Sequence, residues 1–345
     1  MQWFKSYLSG RSQRVRLGNV LSDDIIILFG VPQGSVLGPI LFNIYIRSIY
    51  NTVKKTGFNI MGYADDHQVY KSFDVMQQSR VLEVQLAHCF LEIQNWMVLY
   101  FLQMNAPKTK IIVFGPPNVL SKIIIHGTFL EDVCVRFVST AKSLGVFMDN
   151  NLTFKDHIGS IKKKCLTTIR NLVKIRHLLT TEQLKSIMNS LVILKLDYCN
   201  GLFLGINKNE LRQMQVVQNT AAKSIFGKFK HDHVDNVIND LHWLTVDKRI
   251  VFKVALLMFK TLTGMAPWYL QELVTYRNNG LRSKLTVPYY NSSYGKRAFS
   301  VAGPTIWNEL PSELKNCTDI NMFKGKLKTF LFNLDNDSVK KLHKN

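Results

Sequence analysis

The sequence is poor in the features that mark secreted, zinc-bound and membrane-spanning proteins. Its five cysteines, Cys89, Cys134, Cys165, Cys199 and Cys317, are odd in number, scattered and without a C-x-x-C pair. That excludes a zinc finger and a disulfide framework, and it implies a reducing compartment. No apolar run reaches the roughly 20 residues of a membrane span. The richest stretch, 241–262, is interrupted by Lys248, Arg249, Lys253 and Lys260. The opening Met1-Gln2-Trp3-Phe4-Lys5 lacks the apolar core of a signal peptide. A basic helix with a continuous apolar face for lying on lipid is missing too, as are internal repeats and low-complexity tracts. The expectation is an intracellular chain, nuclear or cytoplasmic, with no membrane partner. Acidic residues are the other scarcity. Against 44 Lys and Arg there are 24 Asp and Glu, a net charge of +20. A field of that sign attracts polyanions, of which nucleic acid is the commonest.

What is present is globular. The 345 residues, 46% hydrophobic and 20% charged, suffice for a substantial core in two domains or subdomains. A short helix over 2–11 breaks at Ser9-Gly10. Two β-prone runs, 13–17 and 24–29, follow around the turn signal Gly18-Asn19. Arg11, Arg14 and Arg16 lie along this ribbon, either as a solvated face or as a nucleic-acid contact. Gly30-Val31-Pro32-Gln33-Gly34-Ser35-Val36-Leu37-Gly38-Pro39 comes next, a glycine-rich loop with Ser35 as the cap of a helix over 36–53. Such a junction can present free N–H groups to phosphate or to a paired strand.

Gly62-Tyr63-Ala64-Asp65-Asp66 sits between two short β-prone runs and reads as a hairpin with the two carboxylates at its tip. Asp is a good turn residue, which is reason enough for one carboxylate. Two together also suit a hard cation such as Mg2+, held by a few carboxylates and substrate phosphates. A long helix over 75–104 carries Leu82, Leu86, Phe90, Ile93 and Met97 as a core stripe. Asn105-Ala106-Pro107-Lys108-Thr109-Lys110 turns the chain into a strand over 111–114. Lys108 is there either a solvated turn residue or a phosphate contact. Further strands are expected over 123–125, 133–137 and 144–148.

The texture becomes helical near 155–160. Helices are expected over 158–179, 181–195 (capped by Thr180), 209–226, 246–262 (stopped by Gly264 and Pro267) and 320–334. Lys162, Lys163 and Lys164 make the first strongly basic, as a solvated face or a phosphate-tracking one. Residues 276–304 read as polar, basic and irregular, and the tail after Asp335 as disordered.

Taken in order, the Gly30–Pro39 loop, Tyr63-Ala64-Asp65-Asp66, Asn105-Ala106-Pro107-Lys108-Thr109-Lys110 and Leu144-Gly145-Val146 resemble four successive palm motifs of reverse transcriptases. The matching group is the LINE-type, non-LTR retrotransposon enzymes of the jockey and chicken-repeat kind. Trp3-Phe4-Lys5-Ser6-Tyr7-Leu8-Ser9-Gly10-Arg11 is similar to the segment ahead of their loop. Leu196-Asp197-Tyr198-Cys199-Asn200, Val217-Gln218-Asn219, Leu241-His242-Trp243-Leu244 and Arg297-Ala298-Phe299-Ser300-Val301-Ala302 resemble the region that follows their polymerase.

The resemblance implies an α+β fold. Residues 1–155 would form part of a right-hand polymerase palm, 156–230 a thumb-like basic helical region and 231–335 a mostly helical C-terminal region, with 336–345 as tail. It implies RNA-directed DNA polymerase chemistry on an RNA template, a DNA primer and deoxynucleoside triphosphates, with two Mg2+ ions roughly 3.5–4 Å apart. Asp65 and Asp66 would be metal ligands, Tyr63 would support the primer end, and Gln33 and Gly34 would lie against template and nucleotide. Lys108 would contact phosphate or act as general acid. His67 stands where the group usually has Thr, at a position expected to leave the tip along its strand. The group also carries a metal-binding Asp, with the fingers, ahead of the Trp3 segment. Asp23 and Asp24 fit no such strand, so the expectation is a chain truncated at its N-terminus and catalytically incomplete. The alternatives are a nucleic-acid-binding remnant or a pseudogene product. The oligomeric state is left open.

Overall fold

The computed structural model describes residues 2–31, 34–123, 128–130, 133–228, 235–276, 284–335 and 339. The chain divides into two compact units, Met1–Val138 and Ser139–Asn345. Its build is α+β: helices accompanied by small antiparallel two-stranded sheets. No described helix is long and apolar enough to cross a membrane.

The first unit opens with the helix Gln2–Leu8 and a narrow ribbon. Strand β1 (Arg11–Gln13) pairs with β4 (Ile25–Ile27), and β2 (Arg16–Leu17) pairs with β3 (Val20–Leu21) around the Gly18-Asn19 turn. The helix expected over 36–53 instead starts at Gly38 and runs as Gly38–Tyr45, a 3-10 turn Ile46–Ser48 and Ile49–Lys55. Ser35 still bonds its start, because its Oγ accepts the Gly38 N–H at 3.1 Å. Strands β5 (Asn59–Tyr63) and β6 (Asp66–Tyr70) form the acidic hairpin. The long helix Val75–Leu99 ends before the expected Met104. Phe101 adopts a left-handed φ of 52°, and the Leu102 N–H closes back on Met97 O at 2.8 Å, as in a Schellman stop.

These helices bury Ile46, Ile49, Val53, Leu82, Cys89, Ile93 and Trp96, with Phe58, in one cluster. Each such aliphatic side chain contributes about 1.5–3 kcal/mol on leaving water. The Trp96 indole N–H donates to Ser48 Oγ at 3.0 Å, so its one polar atom is matched. The strand expected over 111–114 is reduced to a single bridge between Ile111 and Phe137. Strands β7 (Thr128–Leu130) and β8 (Val133–Val135) complete the unit. The strand expected over 123–125 falls mostly outside the described residues.

The second unit begins with a hairpin of β9 (Thr140–Ser143) and β10 (Val146–Asp149). Its two-residue loop, Leu144 (φ 44°) and Gly145 (φ 85°), has the pair of positive φ angles of a type I′ turn. Helices follow at Lys155–Lys174, Thr181–Met188, Lys208–Phe226, Val246–Leu262, Phe299–Glu309 and Ile320–Asn333. Their apolar faces enclose one continuous core, from Val146 and Ile158 through Val217, Ile250 and Phe259 to Ile306 and Leu331.

Thr180 caps as expected, in a reciprocal box. Its Oγ1 accepts the Gln183 N–H at 3.2 Å, and Gln183 Oε1 accepts the Thr180 N–H at 2.9 Å. Residues 284–304 are more ordered than expected, since Ser293–Arg297 and Phe299–Glu309 are helices and Pro304 lies inside the second. Gly303 permits this: a Cβ there would lie 2.5 Å from Met258 Sδ, so the helix packs directly on Val246–Leu262. The expected disordered tail lies, except for Val339, outside the described residues.

Candidate functional site

Strands β5 and β6 pair in register from Asn59↔Tyr70 to Tyr63↔Asp66, leaving Ala64 and Asp65 as a two-residue loop. Ala64 has φ 54°, while Asp65 stays out of the left-handed region. One positive φ at the first loop position is the pattern of a type II′ turn, where glycine is usual. An alanine held there is strained by about 1–3 kcal/mol, and such strain clusters at functional sites.

Alternation sorts the hairpin into two faces. Asn59, Met61, Tyr63, Asp66, Gln68 and Tyr70 are exposed, whereas Ile60, Gly62, His67 and Val69 face inward. Ile60 and Val69 pack on the cluster of Ile49, Val53 and Leu82. Gly62 brings the tip down close. A Cβ there would lie 2.4 Å from Tyr50 Oη and 3.0 Å from His67 Cδ2. His67 does not simply leave the tip along the strand. Its Nδ1 lies 3.1 Å from Asp65 O, bracing the turn, and its Nε2 is buried without a partner among the described residues.

Asp65 and Asp66 are therefore two exposed carboxylates on adjacent residues of a braced turn. They suit a hard divalent cation in donor type, since one or two carboxylates with substrate phosphates make a common Mg2+ set. Among the described residues no group of three His, Cys, Asp or Glu assembles that could hold a metal. The hairpin thus offers a pair of carboxylate ligands among the described residues.

The other expected site residues lie on separate elements. Gln33 is outside the described residues, and Gly34 (φ 82°) is exposed, with open space where a Cβ would be. Its neighbour Ser35 accepts a hydrogen bond from the Tyr7 hydroxyl at 2.7 Å, tying the loop to the first helix. Lys108 ends the 3-10 turn Ala106–Lys108 and is exposed; Asn105 Oδ1 accepts its N–H at 3.2 Å. The three arginines are engaged locally. Arg11 donates to Gly30 O at 2.7 Å and Arg16 to Gly18 O at 3.1 Å, while Arg14 forms a two-pronged pair with Asp24 at 2.7 and 2.5 Å. That pairing raises the Arg14 pKa and lowers that of Asp24. Lys162 donates to Gln213 at 3.3 Å, and Lys163 and Lys164 are exposed.

The motif residues of the second unit meet as structural joints. The Tyr198 hydroxyl donates to Leu144 O at 2.6 Å, fastening Leu144-Gly145-Val146 to Asp197-Tyr198. Asp197 pairs with Arg249, whose Nε lies 2.7 Å from Oδ1. Gln218, fully buried, donates to Leu244 O at 2.8 Å, and Gln215 accepts the Val246 N–H at 2.9 Å. Arg297 donates to the carbonyls of Leu152, Leu202 and Leu204 and lies over the Phe154 ring; burial lowers its pKa. Asp197, Gln218, Leu244 and Arg297 all belong to the motifs quoted above. Arg249 and Gln215 do not, and no local pattern sets them apart.

Residues 1–148 match the family profile described as reverse transcriptase (RNA-dependent DNA polymerase). The chain is similar to the RNA-directed DNA polymerase from mobile element jockey of Drosophila funebris, 30% identical over an alignment of 241 residues that covers 66% of this chain and 25% of that protein. It is also similar to two Drosophila melanogaster proteins. The probable RNA-directed DNA polymerase from transposon X-element is 28% identical, over 65% of this chain and 24% of that protein. The one from transposon BS is 26% identical, over 71% and 28%. The chain spans about a quarter of the length of these curated relatives. No solved structure matches it.

Proposed function

Because its first 148 residues carry a reverse transcriptase domain, of the kind found in LINE-type non-LTR retrotransposons, we propose that the chain supplies part of a centre for RNA-templated DNA synthesis. In that reaction a primer 3′-hydroxyl attacks the α-phosphate of a deoxynucleoside triphosphate and releases pyrophosphate. The observation that carries the reading is the Asp65-Asp66 tip, exposed on one side and braced on the other by Gly62, His67 and the strained Ala64.

Asp65 and Asp66 would hold a divalent cation, Mg2+ by choice. Bound there, it would offset the negative charge of the reacting phosphates. Tyr63 shares the exposed face with Asp66 and would support the primer end. Gln33 and Gly34 would border template and nucleotide. Lys108 would meet phosphate or protonate the leaving pyrophosphate. The α+β build of 1–155 would be part of a right-hand palm, followed by a thumb-like region over 156–230 and a further region over 231–335. Lys163 and Lys164, exposed on Lys155–Lys174, would track a phosphate backbone, with weaker contributions from Arg11, Arg14 and Arg16. A nuclear or cytoplasmic location suits this chemistry.

A pair of carboxylates would supply only part of a cation's oxygen ligands, so the centre would be incomplete in the isolated chain. In magnesium buffer the chain is expected to bind an RNA–DNA primer–template in a salt-dependent way without extending it. With Mn2+ and that duplex, paramagnetic broadening is expected around residues 63–67 and lost in Asp65→Ala. Extension that Asp65→Ala abolishes would overturn the incompleteness. Absence of broadening would overturn the metal role and leave a second reading, a nucleic-acid-binding remnant, which the exposed lysines of Lys155–Lys174 favour.

A further inference from the structure

We infer that the helix Val75–Leu99 carries on its outer side a seam for a second copy of this chain, paired in parallel as a short two-stranded coiled coil.

Spacing is the first reason. Leu82, Cys89, Ile93 and Trp96 turn one face of the helix into the core of the first unit. The face left outside has a repeat of its own. Val81, Val84, His88, Leu91, Asn95 and Val98 follow one another at steps of three, four, three, four and three, and all six are exposed. That is the alternation of a and d positions in heptads. On a helix of 3.6 residues per turn the two stripes lie about 150° apart, so filling one leaves the other open. Val81, Val84, Leu91 and Val98 keep 50%, 70%, 53% and 68% of their surface in water. Covering such a row is favourable.

Charge decides what covers it. The chain has 44 Lys and Arg in 345 residues, yet none falls between 81 and 107. A polyanion finds no counter-charge along this row, and a second copy, itself at +20, meets none of its own cations there. The flanks agree. In a parallel pair Ala87 of one copy lies beside Glu92 of the other, so no like charges are opposed across the seam.

The polar members set direction. Parallel and in register, His88 faces His88 and Asn95 faces Asn95, and each pair can share a hydrogen bond. Reversed about the centre of the seam, Asn95 faces Val84 and His88 faces Leu91, which leaves both polar groups against apolar ones. One Asn at an a position fixes register and favours two strands, at some cost in affinity. A row about 26 Å long on a helix about 10 Å wide is a smaller strip than the roughly 800 Å2 per partner of a standard interface. The dimer is therefore a weak one, in the micromolar range. None of this depends on a cation at Asp65 and Asp66.

Sedimentation of the full chain, before and after nuclease treatment, tests it. A monomer–dimer equilibrium at micromolar concentrations is expected in both. Val84→Glu with Leu91→Glu, both at exposed positions, is expected to weaken it at least tenfold and to leave the urea midpoint in place. Leu17→Glu with Val20→Glu, which charges exposed apolar surface on the ribbon instead, is expected to leave the dimer unchanged. Asn95→Val is expected to tighten it severalfold, as the loss of a polar a residue should. Direction is read by mixing the added-cysteine variants Val81→Cys and Val98→Cys under glutathione disulfide. Links from 81 to 81 and from 98 to 98 are expected, and links from 81 to 98 would overturn the parallel direction. A monomer at every concentration, a dimer that nuclease dissolves, or equal losses in the two double variants would overturn the seam.

Discussion

In Met1–Val138 each described sheet is a lone pair of strands and the buried side chains fall into two small clusters. In Ser139–Asn345 one hairpin and the surrounding helices enclose a single core. The ribbon of the first unit leaves Leu17, Val20 and Ile26 at 83%, 72% and 70% exposure, while Phe203, Phe259, Phe323 and Leu331 in the second are sealed. A two-stranded sheet is marginal in water by itself. The hairpin with the acidic tip therefore owes its shape to the helices beneath it, and the second unit owes its shape to itself. An exposed site on thinly supported strands sits at the low-stability end of a protein, where local opening is easiest.

The largest way to break this contrast is Phe259→Ala. Phe259 stacks on Phe323 at 4.3 Å between ring centroids, and its loss is expected to cost about 3–5 kcal/mol. Hydrogen exchange should then rise in Val246–Leu262, Phe299–Glu309 and Ile320–Asn333 and stay unchanged in β5 and β6. An equal rise in β5 and β6 would show that the two clusters do not act separately.

A smaller change sharpens the other side. Gly62→Ala is expected to cost about 1–3 kcal/mol by crowding Tyr50 Oη and His67, read as faster exchange confined to β5 and β6. Adding Tyr50→Phe removes the nearest atom and should recover most of the loss. No recovery would place the strain elsewhere.

The smallest effect is one of pH. His157 is buried in the second unit, its Nδ1 accepts the Phe147 N–H at 3.3 Å, and burial, aided by the Lys164 charge, lowers its pKa below 6.5. Between that lowered value and 6.5 the unfolded chain binds a proton that the folded chain refuses. The stabilisation is thus complete above 6.5 and is lost as pH falls through the window, by at most about 1.4 kcal/mol per pH unit. His157→Gln keeps an acceptor and should flatten that part of a urea-midpoint profile; an unchanged slope would assign it to other groups.

Much of this was legible in the sequence where local chemistry decides. Val246–Leu262 was read to its ends because its apolar period is regular and Gly264, at φ 73°, stops it. The cap at Thr180 was legible for the same reason, and so was the acidic hairpin, although its loop is Ala64 and Asp65, and Asp66 lies within β6. Where packing decides, the reading failed. Residues 299–304 belong to a stretch that reads as irregular, yet Gly303 lets them form a helix that presses on Met258. The run at 111–114 has the composition of a strand but finds one bridge among the described residues. Of the site, the motif showed the carboxylates but not the inward turn of His67.

Arg297 has a consequence for how the chain comes to be folded. Its bonds to the carbonyls of Leu204, Leu202 and Leu152 span 93, 95 and 145 residues. Contacts that close such long loops form late, because the entropy of closure must be met before they return anything. On the ribosome, the hairpin and early helices of the second unit would thus wait, with those carbonyls unmatched, until synthesis had passed residue 297.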